Sequence, residues 1–398
     1  MDKQAALKGR WAVAAFFLVN GFIMGAWAPQ IPLMLPRHGI GSAVMGLLIL
    51  MIGIGAVGAM LFAGKLIAAY GSHRTTLLCA LLFVPTLPLI VLAHSLWLVV
   101  PVMLAFGAFG GSMDVSMNAN AVEVERGLGR AIMSSSHGFW SLGGFLGGAL
   151  GGKVIEVFSP EAQAIGVSVI SLVIVLIASR FLLPDAPHPV VTGVKPRQAL
   201  FPRVAILYLL GAMAFFVMVP EGAVLDWAAL YVHQELGAGL GRAGLAYGCF
   251  AGTMAVMRFM GDGVRNRFGA VATLRVSGLI AATGMIVAAL APSDLVAIAG
   301  FTFAGLGFAN MVPIMFSAAG NIPGTSPGAG IATVTMIGYC GILVAPSGIG
   351  FIAQNAGFRF TYAALAVLVL VVAALGHKAR VADGVATPAV ELPLEGGI

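Results

Sequence analysis

Residues Ala43–Leu61 read AVMGLLILMIGIGAVGAML, nineteen positions without a charge, an amide or a hydroxyl. As a helix rising 1.5 Å per residue the stretch is about 28 Å long, enough to cross a hydrocarbon core of ~30 Å. Ala363–Leu375 is likewise free of charge. Across all 398 residues, 60% are hydrophobic and only 9% charged, and mean hydropathy is +1.01. A soluble domain carries about 25% charged residues because water must wet its surface. The chain therefore reads as an all-α polytopic membrane protein, each span closing its own backbone hydrogen bonds.

Hydrophobic runs predict twelve helices: α1 (11–35), α2 (43–69), α3 (76–94), α4 (97–121), α5 (131–155), α6 (163–183), α7 (203–231), α8 (242–262), α9 (271–291), α10 (295–319), α11 (329–353) and α12 (359–376). An even number puts both termini on one side. With that side cytoplasmic, only Arg37, Lys153, Arg242 and Arg359 of the 21 Lys and Arg residues fall on the other. The positive-inside bias thus predicts a multi-pass protein of the cell (inner) membrane with both termini cytoplasmic. The net charge of +6 is this topology signal and calls for no nucleic acid. A secretory-signal reading of the N-terminus has Lys3, Lys8 and Arg10, an apolar run and Ala26-Trp27-Ala28 in its favour. Pro29 directly after the cut, Asn20 inside the run and an internal counterpart favour helix α1.

That counterpart belongs to a weak repeat. Shifted by about 200 residues, Ala26-Trp27-Ala28 falls on Asp226-Trp227-Ala228. At a shift of about 198, Tyr70-Gly71 meets Phe268-Gly269, Gly107, Met113 and Met117 meet Gly305, Met311 and Met315, and Ala131 meets Ala329. Two parallel six-helix halves around a central site are a transporter design. The expected divisions are 1–183 and 203–376 for the halves, with a cytoplasmic linker at 184–202 and a cytoplasmic tail at 377–398. Five prolines between 184 and 202 keep the linker extended.

Twelve helices in a 6+6 repeat resemble the major facilitator superfamily. The stretch Gly64–Arg74, which includes Gly71, resembles that superfamily's signature loop after α2, with Ala68 where Asp is usual and His73 where a basic residue is usual. Gly261–Gly269, with Asp262 and Arg267, is the second-half equivalent and keeps the acidic and basic pair better. Ser112–Glu125, Met133–Gly144 and Glu221–Trp227 resemble a narrower MosC-like branch near the proton-coupled fucose and sugar symporters. The superfamily resemblance implies that α1, α4, α7 and α10 line the cavity and that the loop residues Gly64, Gly71, Arg74, Asp262 and Arg267 serve conformational change. A shared fold does not name a cargo.

Ionisable groups inside hydrocarbon cost several kcal/mol and call for a partner, a wet cavity or a function. Asp114, in the cytoplasmic half of α4, shares a face with Gly107, Gly110, Met117 and Asn118. It serves the cavity, or is pinned between helices. Glu221 and Asp226 in α7 follow Pro220, which frees carbonyls in the turn before it. Their five-residue spacing sets them ~140° apart, so both face one cavity only if the helix breaks. Glu221 is the expected cavity residue, while Asp226 serves a gate or packing. Asn20, Trp27, Asn118, Trp140, Trp227 and Asn310 supply amides and indoles suited to hydroxyls and ring faces. Each Asn is equally suited to interhelical bonding. His137 in α5 is a structural group, or a proton relay to Asp114 if the two meet. Gly143/Gly147/Gly151 and Gly144/Gly148/Gly152 form two smooth stripes expected at a moving interface. Gly341–Gly348 in α11 resembles the Gly/Pro motif of drug antiporters, but that motif belongs in α5.

Cys79, Cys249 and Cys340 lack metal-ligand spacing and read as packing residues. No phosphate-binding loop is present, and neither a metal, a cofactor nor an enzymatic nucleophile is expected. Scarcity of basic partners near Asp114 and Glu221 argues for protons, because a desolvated carboxylate takes one up. The expectation is a monomeric, proton-coupled symporter for a small polar, sugar-like metabolite, with Asp114 and His137 handling protons and Glu221 the ligand. A proton-antiport exporter uses the same parts, and a non-transporting membrane sensor keeps the fold.

Overall fold

The computed structural model describes residues 3–129, 132–184, 204–323, 325 and 327–383. The expected linker from residue 185, Ala131, the tail from 384 and the side chain of Asp262 lie outside the described set. The described residues form helices without strands. In order, these are α1 (Gln4–His38), α2 (Ser42–Tyr70), α3 (Ser72–Leu92), α4 (Leu96–Leu128), α5 (Met133–Val157) and α6 (Pro160–Ser179). The second half comprises α7 (Ala205–Gln234), α8 (Leu240–Phe268), α9 (Ala270–Ala289) and α10 (Asp294–Gly320). Pro327–Ala374 is a continuous run that turns at Gly357, giving α11 (327–356) and α12 (358–374).

Nine helices among the described residues meet both the length and the apolarity needed to cross a bilayer, the run through Gly357 counting once. The others, α5 and α8, are long enough at 25 and 29 residues. They are diluted by Gly, Ser and charge: α8 alone holds Arg242, Arg258, Asp262, Arg265 and Arg267. They pack on each other and on α1 and α10, so protein covers much of their surface, although Leu150, Val256 and Met260 stay exposed. Large apolar side chains such as Trp97, Leu61 and Leu290 are likewise exposed on the outside, as a lipid-facing surface requires.

The repeat read from sequence recurs in the backbone. Gly71 joins α2 to α3 with φ 82° and ψ 159°, and Gly269 joins α8 to α9 with φ 77° and ψ 163°. Only glycine adopts this region without strain. In both joints the glycine carbonyl then accepts the amide of a threonine four residues on, Thr75 or Thr273. On the same side of the bundle, Leu375–Asp383 form a 3-10 helix rather than trailing away from residue 377. The reason is local: Asp383 Oδ1 accepts the Ala270 amide at 2.6 Å, capping α9, and Arg265 donates to the Ala382 carbonyl.

Within the first half α1 packs on α5 and α2 on α4; within the second, α7 packs on α11 and α8 on α10. The halves meet chiefly along two seams, α5 with α8 and α2 with α11, and the far end of α1 also touches α7 and α8. At the side away from the termini, hereafter the far side, these seams are tight. A methyl added at Gly46 would lie 2.6 Å from the Pro346 carbonyl, and one at Gly350 would strike the Ser42 carbonyl and the Trp227 ring. Contact between α2 and α11 continues to Gly53 and Leu343 but not to Gly58 or Gly64, which meet nothing within 4 Å among the described residues. Among the described residues the α2–α11 seam is therefore closed on the far side as far as Gly53 and Leu343.

Candidate functional site

Charges gather at the centre of the bundle, where the two halves face each other. Pro220 sits inside α7, and Glu221 follows it. Glu221 Oε1 lies 3.2 Å from Nη2 of Arg258, a residue of α8. The other guanidinium arm of Arg258 donates to Ser141 Oγ on α5 at 2.7 Å. One cation thus joins a carboxylate of its own half to a hydroxyl of the opposite half. Both charged side chains are largely withdrawn from solvent, 16% exposed for Arg258 and 22% for Glu221. This overturns the expectation that Glu221 has no basic partner. It also removes Arg258 from the basic residues counted at the cytoplasmic ends of the helices, since it sits among the central charges.

Asp114 has a different setting. Asn118, one turn along α4, donates to its carbonyl at 2.8 Å and to Oδ1 at 3.3 Å. No ion pair reaches Asp114 or Asp226 among the described residues. Tyr339 of α11 interacts electrostatically with Asp114 and Glu221, and Tyr247 of α8 with Glu221, Arg258 and Asp226. Of the two, only Tyr339 lies within electrostatic range of carboxylates from both halves. The glycines beside Asp114 are taken up by packing: Gly107 lies on the Ile52 backbone, and Gly110 on the Phe83 ring.

The other candidates divide into engaged and open groups. Asn20 Nδ2 donates to the Gly110 carbonyl at 3.2 Å, and its Oδ1 accepts from Trp140 Nε1 at 2.8 Å. Those bonds stitch α1, α4 and α5 together. His137 lies edge-on to Phe17 with centroids 5.1 Å apart, and among the described residues no hydrogen bond joins it to Asp114. Trp27 and Trp227 are both fully buried, in matching places of the repeat, and neither indole nitrogen has a partner among the described residues. Asn310 is buried at a break in α10, its Nδ2 likewise unpartnered among them. Gly64 is open and Arg74 exposed, while Arg267 lies over the Phe268 ring at 5.6 Å.

The two glycine stripes face different neighbours. A methyl at Gly147 would lie 2.5 Å from the Ala26 amide of α1 and strike the Phe22 carbonyl as well, whereas one at Gly148 would meet Gly248 and Tyr247 of α8 at 3.0–3.1 Å. A pocket of 670 Å³ on the far side, lined by Pro36, Gly41, His233, Glu235, Gln354 and Phe358, holds none of the central charges. It is a dent above the shut seam; the buried ionisable cluster marks the candidate site, because charge at that depth is costly unless it is used.

Sequence reasoning missed Arg258, Tyr247 and Tyr339, and it placed Ser141 on the polar face of α5 without giving it a role in the site. A signal existed for two of them: Tyr247 and Arg258 are eleven residues apart, three helical turns, and so share one face of α8.

The architecture is that of known proteins. A profile of the Major Facilitator Superfamily matches residues 13–327. An uncharacterized MFS-type transporter of Yersinia pestis is 36% identical over 359 residues, covering 90% of this chain and 92% of that protein. Membrane protein MosC of Rhizobium meliloti is 35% identical over 353 residues, covering 87% and 84%. Among solved structures, a mutant form of the nucleoside transporter NupG has a TM-score of 0.74 at 11% identity, covering 93% of this chain and 99% of that one. A D-xylose-proton symporter reaches 0.72 at 14% identity, covering 93% and 97%. The chain belongs to the Major Facilitator Superfamily.

Proposed function

We propose that this transporter is a proton-coupled symporter of a small, polar, sugar-like metabolite, working by alternating access in the cytoplasmic membrane with both termini inside. The observation that carries the reading is the set of buried carboxylates between the halves, beneath a seam shut on the far side. In this orientation the far side is extracytoplasmic, so the conformation is inward-facing. The fold neighbours include a protein named for xylose–proton symport and one named for nucleoside transport, which supports the cargo class.

Asp114, without a cation among the described residues, is the proton carrier in this reading. Glu221, held by Arg258, is the ligand contact, with Tyr247 and Tyr339 offering hydroxyls to a polyhydroxylated substrate. Asp114→Asn and Glu221→Gln preserve shape while removing titration. In proteoliposomes with an imposed pH gradient, Asp114→Asn abolishes accumulation but keeps counterflow exchange. Glu221→Gln raises KM and leaves the remaining uptake proton-driven. Undiminished gradient-driven accumulation in both variants refutes the assignment. A wild-type protein that binds a metabolite yet moves none of it would be a sensor.

A further inference from the structure

Arg258 makes two contacts whose partners belong to different halves. Its Nη2 meets Glu221 Oε1 of α7 at 3.2 Å, and its Nη1 meets Ser141 Oγ of α5 at 2.7 Å. Around this point the α5–α8 seam is lined by glycine and ring contacts. Gly144 and Gly148 receive Tyr247 on the far-side flank, and Gly138 receives the Phe259 ring on the linker-side flank. Contacts of that kind are non-directional and survive a small slide or tilt of one helix on the other. A guanidinium–hydroxyl bond does not, since it weakens steeply once the donor angle or distance is lost. In a desolvated interface its loss also leaves polar groups unsatisfied. Ser141 itself is fully buried, so water does not readily take the place of the lost partner.

We propose that Arg258 is a positioning residue that acts as a strut between the halves: it supplies the counter-charge to Glu221 and, through Ser141, selects the helix register in which the far side is shut. The strut deepens the transport reading above, on which it rests, by naming what ties the central carboxylate to the gating motion. Arginine suits this task and lysine does not, because the planar fork engages two acceptors at once while an ammonium is a single point. The remaining groups around the pair are Tyr247 on α8, Tyr339 on α11, Asp226 on α7 and His137 on α5. None of them supplies a second strong cation to Glu221.

The test reads conformation in the ligand-free protein, so it needs no known substrate. Spin labels at His94→Cys and Leu290→Cys, both exposed on the far side and on opposite halves, report the far-side opening by pulsed dipolar spectroscopy. Cys79, Cys249 and Cys340 are replaced beforehand. Ser141→Ala is expected to raise the ratio of far-open to far-shut molecules by about three- to tenfold, the size of one net hydrogen bond. Ser141→Thr, which keeps the hydroxyl, restores the wild-type distribution. Arg258→Lys behaves like Ser141→Ala, although its charge is intact.

Arg258→Met alone would leave Glu221 buried and uncompensated, which endangers folding. The neutral pair Glu221→Gln with Arg258→Met avoids that penalty and is expected to reproduce the Ser141→Ala shift. Distance distributions identical to wild type in Ser141→Ala and in the neutral pair would overturn the strut. That outcome is separable from failure of the transport reading, which shows as absent uptake by the wild-type protein whatever the distances in its variants.

Discussion

Helix α5 carries the same glycine pattern twice, on two adjacent faces that do different work. Gly143 and Gly147 lie against the α1 backbone at Leu18, Phe22 and Ala26, inside one half. Gly148 and Gly152 lie against Gly248, Leu240 and Gly244 of α8, across the halves. Under the alternating-access reading proposed above, the first set, packed inside one half, would hold a moving body together, and the second, packed across the halves, would be the surface on which the bodies rock. The spacing in sequence is identical, so the partner, and not the motif, decides whether a small-residue stripe is a weld or a bearing.

Substitution separates the two. Gly147→Leu has the largest expected effect: its Cβ alone would lie 2.5 Å from the Ala26 amide nitrogen. Overpacking costs about 1–3 kcal/mol even where neighbours yield, and backbone does not yield readily. The outcome expected is loss of monodisperse protein, or a sharply lowered midpoint of thermal unfolding. A variant that folds and transports normally would show that this stripe is not a weld.

Gly148→Leu comes next. Its Cβ would meet Gly248 and Tyr247 at 3.0–3.1 Å, contacts across the two halves, which the proposed alternating-access cycle would rearrange. The protein is expected to fold with an unfolding midpoint near wild type. Turnover in proteoliposomes should fall by about tenfold, corresponding to about 1.4 kcal/mol of altered conformational balance. Equal losses of fold in the Gly147 and Gly148 variants would erase the distinction between the faces.

The bearing is where sequence was hardest to read. Helix number, the paired glycine joints and the buried carboxylates were legible because each rests on local patterning: apolar length, a repeat near 198 residues, or a charge in an apolar run. Cross-half partners have no such local mark. Ser141 and Arg258 are 117 positions apart, and nothing in either segment announces the other. Arg258 was further disguised because α8 runs on to Phe268, six residues past its expected end at 262, so a mid-bundle cation looked like a charge in the last turn at the helix end. Asn20 shows the converse difficulty: a polar group on a helix expected to line the cavity, whose amide is engaged by Gly110 and Trp140, bonds that no periodicity reveals.

Gln354 gives the smallest and most discriminating prediction for the moving surface. Its Oε1 accepts the Ala43 amide at 2.9 Å, so a side chain of α11 caps the first turn of α2 from the opposite half. Gly41, at the N-cap position, offers no side-chain cap of its own. Helix N-termini carry unsatisfied donors and a partial positive charge. Opening the far side breaks this cap, so it favours the shut state. The bond is exposed and water replaces it, which holds its net contribution to about 0.5–1 kcal/mol. Gln354→Ala should therefore speed modification of a cysteine at the buried seam position Ala353, by a membrane-impermeant maleimide applied from the far side, by about two- to fivefold. Gln354→Glu should slow it, because a carboxylate interacts better than an amide with the helix terminus. Both rates equal to that of the parent would mean that the glycine contacts at Gly46 and Gly350 alone keep the seam closed, and that the polar cap follows the gate without holding it.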